Sequence, residues 1–509
     1  MSAEIPQRWS IDLDNKIRFP KFSSTKIRKI ETVGLQYDHF GIGGAESVVA
    51  CIANLLHELA YRVIVYTNDE PTDQDQVLPK GVTRKVLPSA EGEEAKRFNF
   101  WRHEVKAENL DCVIYSSWVS GWAQFDCWSL KTLGSAFILH THSIFFSWFD
   151  DPIADYLSRA LPWIAENSDA IVSVNSATAE FFKAYNEKSI VVPNPIAGIH
   201  TIQYVESDSR KTGKNIVWVG RISDEKRPYE AVKIFSLVTK AIPDARLTVI
   251  GGNSDKGANE PESLARYAYE QLMVPKDSIS FTGFLENPTS YYENSDVYLL
   301  TSSYEGFALT LAEAMGSGLP VVSYDLNYLE LLQNNKGCLI APVGDVEQMA
   351  QHLITILGDG PLRKKMGKNS LARFGEVCLI DFQGLWKSII DAVDSGDIGN
   401  LMGRVPNEAP NRNLQDLVMV SVKERCLKER YSSQLKDRRI AELEKQVRKG
   451  EEDTRNLRLE IGQCSDRILS LEAVEKDLKS QLHAVYDSNS YRIGNALMRP
   501  IHAVVKRKE

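Results

Sequence analysis

Three absences narrow the class of this chain before any motif is read. Paired cysteines are missing. The seven present, Cys51, Cys112, Cys127, Cys338, Cys378, Cys426 and Cys464, are odd in number, scattered, and form no Cys-x-x-Cys. That argues against a disulfide scaffold and a cysteine zinc site, and fits free thiols in a reducing compartment. Long apolar runs are missing too: no uncharged apolar run reaches the roughly 18 residues that span a bilayer. The opening MSAEIPQRWSIDLDNKIRFPKFSS has no apolar signal core. A cytoplasmic location is expected, with contact at the inner face of the plasma membrane left open. Finally, there is no excess of positive charge. The net charge of -8 gives no field to gather a phosphate backbone, so nucleic acid is not an expected partner.

What is present is ordinary globular composition, 43% hydrophobic and 25% charged, over 509 residues. That length exceeds one core and predicts several domains. Short β-branched runs (IETVGL, RVIVYT, CVIYSS, SAFILH, AIVSV and SIVVP) alternate with helical patterns over 28–200. Near-continuous runs of this kind read as parallel strands buried on both faces. The prolines of VPNPI (Val192 to Ile196) end the series, and ESDSRKTGK follows as a polar linker over 201–213. The pattern restarts over 214–395 with NIVWVG, ARLTVI, SISFTG, DVYLLTS, LPVVSY and GCLIAP. The fold class is therefore α/β, with two Rossmann-like, doubly wound domains facing each other across a cleft.

The ends differ in kind. Residues 1–27 form an N-terminal tail and 396–425 a second linker. Over 426–487, apolar residues at alternating spacings of three and four, among them Leu457, Ile461, Ile468, Leu471, Leu478, Leu482 and Val485, read as a heptad repeat. A coiled coil and self-association follow, with Gly450, Thr454 and Glu475 as weak positions. Residues 488–509 place Ile493, Leu497, Ile501 and Val504 on one face, with Arg492, Arg499 and Lys506 recurring every seven residues. A basic amphipathic tail of this kind suits an anionic membrane surface, although Pro500 would kink it.

The chemistry concentrates in TSSYEGFALTLAEAMGSGLPVVSY, Thr301 to Tyr324. Two carboxylates, Glu305 and Glu313, bracket apolar and small residues, and a buried carboxylate needs a partner. They are eight positions apart, which on a helix is about 12 Å of rise, so one small group does not bind both. DVYLLTS reads as a strand ending at the carboxyl edge of its sheet, followed by a helix whose free N–H groups favour anions. Gly306 permits close backbone approach to a ligand. In NIVWVGRISDEKRPYEAV, Arg221 follows strand-final Gly220 and Lys226 lies five residues on, at the same edge. A guanidinium and an ammonium there suit a diphosphate whose charge grows as its bond breaks. ILHTHS adds His140 at a strand end and His142 two positions later. The Asp-x-Asp of TDQD (Thr72 to Asp75) recurs as DLD (Asp12 to Asp14) and reads as a solvated loop.

GRISDEKRP and EGFALTLAEAMGSGLPVV resemble the paired motifs of the retaining GT-B glycosyltransferases of family 4, which carry a Glu-x7-Glu. YDHFGIGGAESVVACIANLLHELAYRVIVYT resembles that family's glycine-rich loop and first helix, and VPNPI its interdomain turn. The likeness covers roughly residues 30 to 390 and implies a nucleoside-diphosphate sugar as donor substrate. It also implies a glycan or lipid-linked acceptor, surface polysaccharide synthesis, and no cofactor or metal. By position, Arg221 and Lys226 would bind the diphosphate and Glu313 the ribose. Glu305 and His140 would lie at the reacting centre, with His142 as a second candidate. The backbone at Gly306, Phe307, Ala308 and Leu309 would meet phosphates and sugar, and Gly43 and Gly44 would approach from the first domain. After the motif the chain has SYDLNYLELL where many relatives have a glycine-rich turn, leaving contacts from Asp325 or Asn327 open. Two other readings fit the same motifs: an inactive GT-B scaffold working through its coiled coil, and a nucleotide-sugar epimerase.

Overall fold

The computed structural model describes residues 22, 29–41, 43–73, 75–148, 153–196, 213–252, 260–285, 287–326 and 328–397, then Lys449 and most of 462–484. The chain divides into two compact units, Met1–Ser421 and Val422–Glu509.

The first unit holds two parallel sheets. The first runs β1 (Thr32–Gln36), β2 (Arg62–Thr67), β3 (Thr83–Val86), β4 (Cys112–Tyr115), β5 (Ala136–Thr141), β6 (Ala170–Ser173) and β7 (Ser189–Val191). Its spatial order is β3-β2-β1-β4-β5-β6-β7, all neighbours parallel. The second runs β8 (Asn215–Val219), β9 (Arg246–Ile250), β10 (Ile279–Gly283), β11 (Val297–Leu300), β12 (Val321–Tyr324) and β13 (Cys338–Ala341). Its order is β10-β9-β8-β11-β12-β13. Each sheet reverses direction of growth once, at β1/β4 and at β8/β11. At such a switch point the loops leaving adjacent strands diverge and open a crevice.

Buried valine, isoleucine and leucine on the strands explain the sandwiching by helices. In β4 and β5, for example, every residue is buried. β3 has no apolar run; its Thr-Arg-Lys-Val is exposed or half-buried because it pairs only with β2 at the sheet edge. The helix Phe382–Ser395 departs from the expected layout. Its Trp386, Ile389, Ile390 and Val393 pack with Val33, Val48, Ile52 and Ile138 of the first domain. The Ile30 N–H donates to Asp394 at 3.3 Å. The range 214–395 thus ends on a helix whose partners lie in the first domain.

An apolar cluster joins the two domains. Ile144, Phe145, Phe146, Val174 and Ala177 of the first meet Phe307, Leu311, Tyr328, Leu329 and Leu332 of the second.

In the second unit the described residues between 462 and 484 are helical. Leu471, Leu478 and Leu482 are 61%, 58% and 54% exposed, an apolar stripe on a charged helix. Most of the predicted heptads and all of the basic tail fall outside the described residues, as do nearly all of both linkers and of the N-terminal tail. Among the described residues no helix is long and apolar enough to cross a membrane.

Candidate active site

The two glutamates of the stretch Thr301 to Tyr324 meet different partners. Glu305, 7% exposed, accepts from Lys226 Nζ at 2.5 Å and from Ser302 Oγ at 2.6 Å. Its backbone N–H donates to the Tyr328 hydroxyl oxygen at 2.9 Å. Lys226 ends a short turn, Asp224–Lys226, leaving β8, and Glu305 follows β11. Thr301 fastens the two loops together: its hydroxyl donates to Lys226 O at 2.7 Å and accepts from Trp218 Nε1 at 2.9 Å. The ion pair therefore stands at the β8/β11 switch point.

Glu313 lies within the helix Leu309–Gly316 and accepts from the Tyr292 hydroxyl at 2.9 Å. Burial pushes its carboxyl above the usual range, against the Tyr292 hydrogen bond. Both carboxylates act on the Tyr298 hydroxyl. Burial raises its pKa, the Thr310 hydrogen bond lowers it, and the fields of Glu305 and Glu313 raise it further. Tyr298 is 2.8 Å from Thr310 Oγ1. Arg221 is exposed and pairs with Glu225 at 3.0 Å. Its charge nonetheless reaches the first domain. Burial pushes Tyr37 and Glu46 up, and Arg221 opposes both shifts.

On the first domain, the 15-residue helix Gly44–Glu58 begins at the glycine loop. A Cβ on Gly44 would come within 3.0 Å of Leu309 Cδ1, so the starts of two helices, one per domain, adjoin. At Gly43 a Cβ would strike the Glu46 carboxylate, which folds over it. His140 is buried in β5, 3.1 Å from Ser116 Oγ through Nδ1, with Trp386 at 5.5 Å between ring centres. His142 lies 4.2 Å from His140 and 5.8 Å from Tyr37. Among the described residues neither ring nitrogen of His142 has a hydrogen-bond partner, and both are buried. Burial lowers both imidazole pKa values, that of His142 to about 3, so both rings are neutral near pH 7. His140 is thus held from behind, while His142 retains free hydrogen-bonding capacity.

Gly306 changes meaning in the structure. The backbone it approaches belongs to the other domain: a Cβ would lie 2.0 Å from His142 O and 2.9 Å from Ser143 Cα. Phe307, 3% exposed, points into the interdomain cluster, so its side chain is core. Ala308 has φ of 64°, a left-handed conformation that costs about 1 kcal/mol for a residue with a Cβ. Leu309 begins the helix. In TDQD, Asp75 is tied to Arg84 and to Thr72 Oγ1, consistent with an ordinary loop. Asp325 is described but Asn327 is not.

Sequence reading missed Ser302, Tyr292, Tyr298, Tyr328 and Ser116. Asn175 was also missed, although its place before SATAEFFK carries a helix-capping signal. Asn175 Oδ1 accepts from the Thr178 N–H at 2.9 Å, and its Nδ2 donates to Gly306 O at 2.9 Å.

Comparison with known proteins agrees with this architecture. The Glycosyltransferase Family 4 domain matches residues 42–197, and the Glycosyl transferases group 1 domain matches 201–373. TarM of S. aureus superposes with a TM-score of 0.58 at 11% identity, covering 71% of this chain and 99% of that one. Anabaena HepE, in complex with UDP and glucose, gives 0.57 at 15%, covering 73% and 99%. The fold is that of the GT-B structures, and each half of the body is similar to a glycosyltransferase domain family. An uncharacterized glycosyltransferase of Haemophilus influenzae is 25% identical over 358 residues, 68% of this chain and 96% of the relative. The poly(glycerol-phosphate) alpha-glucosyltransferase of Bacillus subtilis is 28% identical over 156 residues, 30% of this chain and 22% of the relative.

Proposed function

We propose that the protein moves a sugar from a nucleoside-diphosphate sugar to a glycan or lipid-linked acceptor, with retention at the anomeric carbon, in surface polysaccharide synthesis. The observation that carries this reading is the Lys226–Glu305 pair at the β8/β11 switch point, backed by two adjoining helix starts. A diphosphate entering there meets the Lys226 ammonium and the Arg221 guanidinium, and the N–H groups ahead of Leu309 and Gly44 face the same region. These groups take up the charge that develops on the leaving diphosphate without a divalent metal. Glu313, whose carboxyl is held among apolar groups, accepts from the ribose hydroxyls. Glu305 stands beside the transferred sugar. His142, neutral and without a partner among the described residues, offers a hydrogen bond to that sugar or its phosphate, with His140 behind it. The acceptor then approaches the face the diphosphate leaves. Anabaena HepE holds UDP, so uridine sugars come first among the donors to try.

The coiled-coil stripe at Leu471, Leu478 and Leu482 is assigned to pairing between copies, and 488–509 to an anionic membrane surface near the acceptor.

The test is a thermal-shift screen of nucleoside-diphosphate sugars on wild type and Arg221→Ala, followed by product analysis with labelled donor and EDTA present. The expected result is one donor that raises Tm in wild type alone and delivers label to an acceptor with the α or β configuration it had. Isomerised donor, or donor binding without turnover, would overturn the reading.

A further inference from the structure

The donor loop Glu305–Ala308 is held by Asn175 and Tyr328, which lie far apart in sequence and whose own segments are tied together by a third set of contacts. Asn175 Nδ2 donates to Gly306 O at 2.9 Å. Tyr328 OH receives the Glu305 N–H at 2.9 Å and donates back to Glu305 O at 3.2 Å. The third side joins Tyr328 and Glu330 to the helix that Asn175 begins: Ser176 N–H donates to Glu330 Oε1 at 2.8 Å, and Ser176 Oγ to Tyr328 O at 3.4 Å. The result is a closed triangle of donor loop, segment 328–330 and the start of helix Ser176–Lys183. Two of its sides cross from one domain to the other.

Asn175 is the corner with no slack. It is completely buried. Its carbonyl oxygen caps the helix at Thr178, which fixes the side chain and aims its NH₂ at Gly306. The loop it holds includes Ala308 in a left-handed conformation. Such a conformation persists only where the surroundings over-determine it. Gly306 seats against His142 O on the same side. We infer that Asn175 is a positioning residue for sugar transfer: from the opposite domain it sets the donor loop, and through it the Glu305 carboxylate, where the donor binds. This rests on the donor reading above. It adds that donor affinity is linked to contact between the domains.

The capping and clasping roles of Asn175 can be separated. Serine caps a helix as well as asparagine does but cannot reach Gly306 O with an NH₂. Alanine loses both functions. The experiment compares wild type, Asn175→Ser and Asn175→Ala in the full chain by two readouts. The first is amide hydrogen exchange across residues 302–309 without any donor. The second is the KM for donor and for acceptor, measured separately. Loss of the clasp predicts faster exchange in 302–309 in both variants and a donor KM raised about tenfold in Asn175→Ser, with acceptor KM within about twofold. Unchanged exchange in both variants would overturn the clasp whether or not the donor reading holds. Faster exchange with unchanged donor KM would overturn the positioning role. If wild type shows no donor-dependent turnover, the donor reading fails, and the exchange arm alone decides the clasp.

Discussion

Gly306→Ala is the sharpest perturbation the structure offers, because it adds one methyl and nothing else. Gly306 is not in the left-handed region, so alanine meets no backbone penalty there. The obstacle is steric. The new Cβ would lie 2.0 Å from His142 O and 2.9 Å from Ser143 Cα, both backbone atoms that no rotamer change can move. A tolerable contact begins beyond 3.0 Å, so donor loop and first domain must separate by about 1 Å in a close-packed interface. That shift strains the Asn175–Gly306 bond and the packing of Phe307. Overpacking of this sort costs about 1–3 kcal/mol, a fall of a few degrees in Tm. A reacting geometry displaced by about 1 Å loses on the order of a hundredfold in rate. The assay is initial-rate transfer from the donor that the thermal-shift screen selects, with a melting curve on the same sample. Wild-type kcat/KM and wild-type Tm together would refute the claim that this loop docks on His142.

Three further outcomes follow from the same contacts. Lys226→Met leaves Glu305 buried beside Ser302 without its cation; we expect a loss of about 3–5 kcal/mol by chemical denaturation, whereas Glu305→Gln keeps Tm near wild type and abolishes transfer. Burial pushes the Glu330 carboxyl up to about 7 from an ordinary 4.5, opposed by hydrogen bonds from Ser176 and by Arg373, and its Oε2 is buried without a partner among the described residues. The folded state then binds more protons than the unfolded state between those values, so this contribution is full below pH 4.5 and is lost as pH rises through 7. Over that range wild type loses up to about 3 kcal/mol relative to Glu330→Gln, and parallel curves of stability against pH would contradict it. Paired Leu471→Lys and Leu478→Lys substitutions in the full chain should convert an oligomer to a monomer by light scattering; an unchanged mass would remove the stripe from the interface.

What was readable in the sequence follows from how local each feature is. Strands such as CVIY and AFILHT announce themselves because both faces are buried. β3 does not, since an edge strand of exposed Thr83 and half-buried Arg84 and Lys85 has no such composition. The Lys226–Glu305 neighbourhood was foreseeable, since both residues leave the carboxyl ends of strands that the doubly wound pattern sets side by side. The clasp was not. Asn175 and Gly306 are 131 residues apart, and Ser176 and Glu330 are 154 apart. Which surfaces two domains press together is written in no single stretch of chain. The stripe Trp386, Ile389, Ile390 and Val393 shows the same limit: its spacing gives an amphipathic helix without saying which domain covers it.

The return of helix Phe382–Ser395 has a mechanical corollary. Threading runs out of the first domain after Ile196, through all of the second, and home again by residue 382, so the second domain is an insert hung on two chain crossings. The end of that helix is fastened at the entry to β1, where the Ile30 N–H meets Asp394. Any pull exerted by what lies beyond residue 397 is therefore borne by the lobe that carries Gly43 and His142. The lobe that carries Lys226 and Glu305 hangs outside the line of force.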